Sequence, residues 1–329
     1  MSEVRLDPWS GAETILAPGR LSIGAVKPSG LPTPSARCPF CPGHEADAEA
    51  TIAQISAGVV RFADATQLCR PGEPGTPVEI GEPWRVRVVA NRYPLVAPTM
   101  PLARGAHEVI VEAREHDVDL PDLDLDAMTC VVTMYRDRSR ALASLEGARS
   151  IVLFRNRGRR AGSSQPHPHA QIAALSYVPP HTRVRDERAR GDRDLLGRTL
   201  ASERACGRVV YETGSFVTFC PFASSRAHEV RIAPTRPIER LADLDDAMVA
   251  ALADQLSRAL RALRTRMGLA DYNLLVRDPA LDTRGAFFSV EILPRTGGDA
   301  GFELHTGSSI CLVAPEETAA ALRAIEASA

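Results

Sequence analysis

An internal repeat constrains this chain more than any other feature. Residues 106–109 read AHEV, and so do residues 227–230. DLDAM at 124–128 is matched by LDDAM at 244–248, and LFRN at 153–156 by LVRD at 275–278. RVRVVAN at 85–91 has a shorter counterpart, RVVYE, at 208–212. The spacing stays close to 120 residues throughout. Such a period is too long for a solenoid unit and indicates two copies of one domain-sized fold.

Each copy reads the same way. A strand (Val86 to Asn91; Val209 to Phe219) is followed by a second (Glu108 to Glu112; Glu229 to Ala233). An amphipathic helix comes next, with Leu125, Met128, Val132 and Tyr135 at helical spacing in one copy. Leu244, Met248, Leu252, Leu256 and Leu260 repeat the pattern in the other. A third strand (Ser150 to Phe154; Tyr272 to Val276) and a fourth (167–175; 287–293) complete the unit. Runs of strands around one long helix predict an α+β fold rather than a doubly wound sheet. The domains expected are residues 1–180 and 181–329, with the Arg/Asp-rich segment 181–198 as the connection.

The chemistry concentrates in residues 162–172, GSSQPHPHAQI. Side chains alternate between the faces of a strand, so His167, His169 and Gln171 are expected on one face. Pro168 suits an edge or bulge position. Gly162, Ser163 and Ser164 offer hydroxyls and backbone N–H groups to an anion. A row of two imidazoles and an amide needs specific partners if buried, which weighs against ordinary strand histidines. The repeat sharpens the point: the matching residues of the second copy are Phe287, Ser289 and Glu291. Histidines that served only the fold would be needed twice, so one chemical centre per chain is expected.

Cys38-Pro39-Phe40-Cys41 is a lone C-x-x-C, which must borrow ligands to hold zinc. His44 is the near candidate; His116 and His167 are distant ones. The competing reading is two unrelated cysteines in a proline-rich turn, and a redox role lacks its βαβ context. His107 and His228 share the AHEV repeat and read as structural. Arg155, Arg157, Arg159 and Arg160 read as a solvated hairpin loop, with one or two turned toward a phosphate.

Composition narrows the rest. A net charge of −2 gives no bulk attraction to nucleic acid or an acidic membrane. No apolar run approaches the roughly 20 residues of a membrane span. The N-terminus lacks a signal-peptide pattern, so a cytoplasmic protein is expected. Seven scattered cysteines do not form a disulfide framework. Lys27 is the only lysine, so phosphate must be held by arginine, polar side chains or backbone N–H groups.

Together, CPFCPGHE at 38–45, VANRYPL at 89–95, GAHEVIVE at 105–112, FRNRG at 154–158, HPHAQI at 167–172 and GFELHTG at 301–307 resemble the galactose-1-phosphate uridylyltransferase family. This is the transferase branch of the histidine-triad superfamily, and the resemblance implies two tandem histidine-triad-like domains, the first bearing the zinc site and catalytic histidine. It implies that His169 is the nucleophile and Gln171 the amide that holds phosphate oxygens. Asn91, Asn156, Ser163, Ser164, Arg20 and Glu303 would contact substrate. Cys38, Cys41, His116 and His167 would ligate Zn2+. The partners implied are a nucleotide sugar and a phosphorylated acceptor, in a homodimer, with no nucleic acid and no membrane.

The chain also departs from the family's pattern. Phe287 and Ser289 replace a His-x-His that carries a second metal in many members, so none is expected here. Ile23 stands where a partner for Arg20 would fall, and Cys311 where an asparagine is usual. The function expected is transfer of a nucleoside monophosphate to a sugar 1-phosphate by a ping-pong route. The alternatives are a phosphorylase using inorganic phosphate and a zinc protein that binds nucleotides without turnover.

Overall fold

A computed structural model describes residues 2–18, 37–56, 59–62, 83–101, 103–269 and 271–327. Arg20, with Ile23, Lys27 and Cys69, lies outside the described residues. Strands β1 (Glu3–Leu6), β2 (Glu13–Leu16), β3 (Thr51–Ser56) and β4 (Val59–Phe62) precede the first copy. That copy comprises β5 (Trp84–Ala90), β6 (Gly105–Val111), α1 (Leu125–Ala143), β7 (Ser150–Arg157) and β8 (His169–Leu175). Helices α2 (Pro180–Gly191) and α3 (Leu195–Ala205) follow. The second copy comprises β9 (Val209–Glu212), β10 (Phe216–Phe219), β11 (Val230–Pro234), α4 (Asp246–Met267), β12 (Tyr272–Arg277) and β13 (Ser289–Pro294). The chain ends with α5 (Gly301–Thr306), β14 (Ser309–Cys311) and α6 (Pro315–Glu326).

The repeated DLDAM and LDDAM start both long helices by the same device. Asp124 accepts from the Ala127 N–H at 2.7 Å, and Asp245 from the Met248 N–H at 2.8 Å, filling an orphan donor of the first turn. Met128, Val132 and Tyr135 are buried as their spacing predicts. Leu125 is the exception: it opens α1 on the solvent side and is 47% exposed. The single strand expected over 209–219 is instead the hairpin β9–β10, because Thr213-Gly214-Ser215 turns and the Thr213 N–H closes on the Phe216 carbonyl at 2.8 Å.

Among the described residues, eleven strands form one sheet in the order β4-β3-β5-β6-β8-β7-β12-β13-β11-β10-β9. Its inner part reads β5-β6-β8-β7 and then the mirrored order β12-β13-β11-β10, so the copies meet at β7 and β12. The register there is symmetric in itself. Leu153 faces Val276 in the core and Phe154 faces Leu275 on the other side of the sheet, so the LFRN and LVRD letters are slipped by one residue relative to the structural match. The fold is thus α+β: two tandem histidine-triad-like domains, each a mainly antiparallel sheet with a long helix.

Helices α1 and α4 pack on one face of this sheet, and a single core runs beneath both. We propose that residue 180, where α2 begins, marks the join of the duplicated units. The first residues of the chain nevertheless lie with the second copy: β2 pairs with β14, and Trp9 packs on Phe219 and Phe287. With α2 and α3, Trp9 covers the second copy's other sheet face. Among the described residues no helix is long and apolar enough to cross a membrane.

Candidate active site and metal centre

The site lies on the sheet face away from α1, where β8 runs between β6 and β7. Gly105 lets β6 approach: a Cβ there would fall 2.2 Å from the Ala174 carbonyl oxygen. Pro168 occupies neither an edge nor a bulge. It stands just before β8, where its missing N–H breaks no ladder bond, and its carbonyl accepts from the Glu112 N–H at 3.1 Å.

His169 and Gln171 share the open face of β8, while His167 falls before the strand and turns to the cysteines. Its Nδ1 lies 3.7 Å from Cys38 Sγ and 3.6 Å from Cys41 Sγ, and Cys41 Sγ lies 3.3 Å from His116 Nδ1. Tetrahedral zinc, with bonds of about 2.3 Å to sulfur and about 2.0 Å to nitrogen, sets neighbouring donors roughly 3.3–3.8 Å apart. These four side chains therefore fit a Cys2His2 metal centre. His167 Nε2–H donates to the Ala113 carbonyl at 2.9 Å, which leaves Nδ1 free as the ligand atom. Arg87 fixes the C-x-x-C turn by donating to the Pro39 carbonyl at 3.2 Å. His44, the near candidate in sequence, is not part of this group; its Nδ1 lies 3.0 Å from the Cys38 carbonyl.

His169 Nδ1–H donates to the His167 carbonyl at 2.8 Å. The lone pair is then on Nε2, which has no hydrogen bond among the described residues. Burial, aided by the Arg155 and Arg157 cations, pushes the imidazole pKa down to about 4, so the ring is neutral at physiological pH. Phe40 packs against both imidazoles, with ring centroids 5.9 Å from His167 and 5.6 Å from His169. His169 lines a cleft of about 270 Å3 with Phe40, Asn91, Arg92, Ser164 and Gln171. A neutral nucleophile beside an amide and a serine loop is equipped to attack phosphorus.

The other expected site residues divide. Asn91 and Ser164 line the cleft. Ser163 is occupied, donating to the Gln165 carbonyl at 2.7 Å and shaping the loop. Asn156 accepts from Asn273 at 2.8 Å across the seam between the copies. Glu303 does not line this cleft; it caps the start of α5 by accepting from the Ala300 N–H at 3.0 Å. Cys311 is buried in β14 with its thiol on the Val313 carbonyl.

The arginine loop is solvated only at its tip: Arg159 is exposed and Arg160 half-buried, but Arg155 and Arg157 are buried. Arg155 is buried between Glu112 (2.7 Å), Asp119 (2.8 Å) and the Tyr272 hydroxyl (2.8 Å). Arg157 donates to the Pro166 carbonyl at 2.8 Å. Arg157 thereby braces the segment just before His167, Arg155 is spent on its own buried partners, and neither lines the cleft.

His107, expected to be structural, belongs to the site: its Nε2 lies 2.9 Å from Gln171 Oε1. The AHEV repeat misleads because the copies are slipped by one residue. His107 lies inside β6, where Val109 faces Gln171; His228 precedes β11 at a left-handed φ of 63°, and Arg231 faces Glu291. Alternation along GAHEV, taken alone, places His107 and Val109 on one face.

Residues 25–179 match a family model described as galactose-1-phosphate uridyl transferase, N-terminal domain. The chain is 26% identical to an ADP-glucose phosphorylase of Arabidopsis thaliana, over 98% of this chain and 93% of that one. It is 28% identical to a galactose-1-phosphate uridylyltransferase of Streptomyces lividans, over 75% of this chain and 60% of the other. Its fold superposes on a crystal structure of an Arabidopsis thaliana ADP-glucose phosphorylase with bound ADP-glucose, with a TM-score of 0.81, 25% identity and 98% of each chain covered.

Proposed function

Because residues 25–179 match the galactose-1-phosphate uridyl transferase family model, we propose that the chain belongs to that family and that His169 carries a nucleoside monophosphate from a nucleotide sugar to a phosphorylated acceptor. The protein is an enzyme of the nucleotidyltransferase class. The observation that carries the proposal is the hydrogen bond from His169 Nδ1 to the His167 carbonyl, which leaves the Nε2 lone pair for the cleft. Nε2 attacks the α-phosphorus; the N–P bond forms as the bond to the bridging oxygen breaks, and sugar 1-phosphate leaves. The His167 carbonyl stays on Nδ1–H and stabilises the charge of the phosphorylated ring. A phosphate oxygen of the acceptor then displaces the imidazole. Gln171 and the Ser164 loop donate to the phosphoryl oxygens, and the neutral amide preserves the intermediate until the acceptor arrives.

With a sugar 1-phosphate as acceptor the enzyme is a hexose-1-phosphate uridylyltransferase-like transferase. With inorganic phosphate it is a nucleotide-sugar phosphorylase, a reading favoured by full-length similarity to ADP-glucose phosphorylase. The unbroken His167-Pro168-His169-Ala170-Gln171 argues against a protein that only binds. Cys38, Cys41, His116 and His167 would hold Zn2+, which fixes the start of β8 and takes no part in the displacement. About one zinc per chain is expected in freshly purified, unchelated protein, and metal analysis finding none overturns that assignment. We further propose a cytoplasmic homodimer. Glu303 stands on α5 beside exposed Phe302 and Leu304, an apolar pair that a partner subunit would cover.

Intact mass spectrometry after mixing with UDP-, ADP-, GDP-, CDP- or dTDP-sugars, without acceptor, tests the reading. A gain of one nucleoside monophosphate, absent in His169→Gly, is expected and names the base. Adding a sugar phosphate or inorganic phosphate to that adduct separates transferase from phosphorylase. No adduct with any donor overturns the covalent route.

A further inference from the structure

The orientation of Gln171 is set by its neighbours, and the hydrogen bonds around it identify how. The Leu95 N–H donates to His107 Nδ1 at 3.0 Å. A backbone N–H can donate only to an unprotonated ring nitrogen, so the His107 proton sits on Nε2. That nitrogen lies 2.9 Å from Gln171 Oε1. Burial lowers the His107 pKa and keeps the ring in this neutral form. Asn91 is oriented in the same manner. Its Oδ1 accepts from the Tyr93 N–H at 2.9 Å, which turns its amide nitrogen toward Gln171 Oε1 at 3.3 Å.

Two donors fixed by separate backbone N–H groups thus converge on one oxygen. A flipped Gln171 would set its own N–H2 against both. We propose that His107 is a positioning residue that locks the Gln171 amide with its N–H2 group toward the phosphoryl oxygens. The sequence of control runs from the loop after β5, through the His107 tautomer and the Asn91 amide, to Gln171. His107 touches no substrate; it converts a freely flipping amide into a preorganised donor, which is where such groups gain their catalytic value. The inference rests on the nucleotidyl-His169 reading above.

The test is a double-mutant cycle on the single-turnover rate of adduct formation, using whichever nucleotide sugar labels the wild type. His107→Phe keeps the ring and removes the donor; the rate is expected to fall roughly tenfold to a hundredfold, part of the value of one oriented donor. The apparent affinity for the donor sugar should change less than about threefold, because ground-state binding does not use this orientation. His107→Gln restores an N–H at the same reach and should recover most of the rate. In a Gln171→Ala background, His107→Phe should add less than about a twofold effect, since two residues acting as a unit are not additive. Equal losses in both backgrounds, or no loss in either, overturn the positioning role. If His107→Phe does not fold, nitrogen NMR of the wild-type imidazoles decides. A His107 proton on Nε2 supports the proposal, and one on Nδ1 overturns it. No adduct in the wild type overturns the reading beneath; a normal wild-type adduct with an additive cycle overturns this proposal alone.

Discussion

In the first half of the sheet Gln171 sits between Val109 and Phe154 on the flanking strands; at the matching place in the second half Glu291 sits between Arg231 and Leu275. Next along the strand, His169 is matched by Ser289. The first pair faces a cleft. The second faces protein: Ser289 Oγ accepts from Arg185 of α2 at 3.0 Å, and Glu291 accepts from Arg277 at 2.8 Å and pairs with Arg185 at 3.5 Å. Trp9 lies over the same face with its ring against Phe287, 5.0 Å between centroids. One sheet face therefore supports two outcomes. Where the polar row meets an open cleft it is free for a ligand, and where it meets a connecting helix it becomes a clamp. A duplicated fold needs the chemistry once; the other copy spends the equivalent positions on holding the chain together.

His169→Gly attacks the contrast most directly. It removes the one atom the second half has no version of, and turnover is expected to fall at least about 10^4-fold, as for loss of a covalent nucleophile. The adduct disappears from the mass spectrum while the melting temperature stays close to wild type. Gln171→Glu makes the first half resemble the second. The new carboxylate still accepts from His107 and Asn91, so the fold is retained. It meets phosphoryl oxygens with negative charge and lacks a partner equivalent to Arg231, so adduct formation is expected to fall roughly 10^2–10^3-fold. A rate within about threefold of wild type would remove Gln171 from phosphate contact.

Glu291→Gln is the reciprocal exchange and should show the opposite pattern. Burial disfavours the Glu291 carboxylate, but Arg277, Arg231 and Arg185 outweigh it and hold the pKa at about 2. Its ionised form therefore stabilises the fold fully above the ordinary value near 4.5, and that contribution is lost as pH falls from there toward 2. Neutralising it leaves Arg185 and Arg277 without their carboxylate. Arg231 keeps Asp7 at 2.5 Å and Glu229 at 3.0 Å. The expected cost is about 3 kcal/mol in urea unfolding at neutral pH, and a smaller difference from wild type below pH 4. Labelling of His169 should be unaffected. Lost labelling without lost stability would mean that the second half takes part in the chemistry.

The features readable from sequence were those encoded locally. The apolar spacing of both helices and the alternation of His169 with Gln171 each act within a few residues, and each predicted the element or face it occupies, whereas His167, expected on the same face, falls before β8 and turns to the cysteines. What stayed hidden depends on partners far along the chain. Arg155 looks like one more charge in FRNRGRR until Tyr272, Glu112 and Asp119 close around it from three other segments. The C-x-x-C spacing alone left the histidine partners of Cys38 and Cys41 open, and only the family resemblance pointed to His116 and His167, which reach them through the packing of the chain. His107 was obscured by the repeat itself. A one-residue slip between β6 and β11 aligned identical letters on opposite faces, so the repetition that revealed the architecture concealed a site residue.

The smallest effect tests whether the halves are independent. Asn273, in the second half, donates to Asn156 Oδ1 at 2.8 Å and to the Ala161 carbonyl at 2.9 Å. Ala161 ends the short turn that leads into Gly162, Ser163 and Ser164, and Gly162 holds a left-handed φ of 85° as the C-cap of that turn. The strand that lacks the chemistry thus grips the loop that serves it. Asn273→Ala removes both bonds and is expected to cost about 1 kcal/mol of stability. If the grip also presets the serine loop, KM for the nucleotide sugar rises roughly threefold while the labelling rate at saturation is unchanged, the signature of lost uniform binding. The same loss of stability with an unaltered KM would confine the second half to support. A fall in saturated labelling would extend its influence to His169 itself, through β7 and β8, and would make the seam part of the catalytic unit.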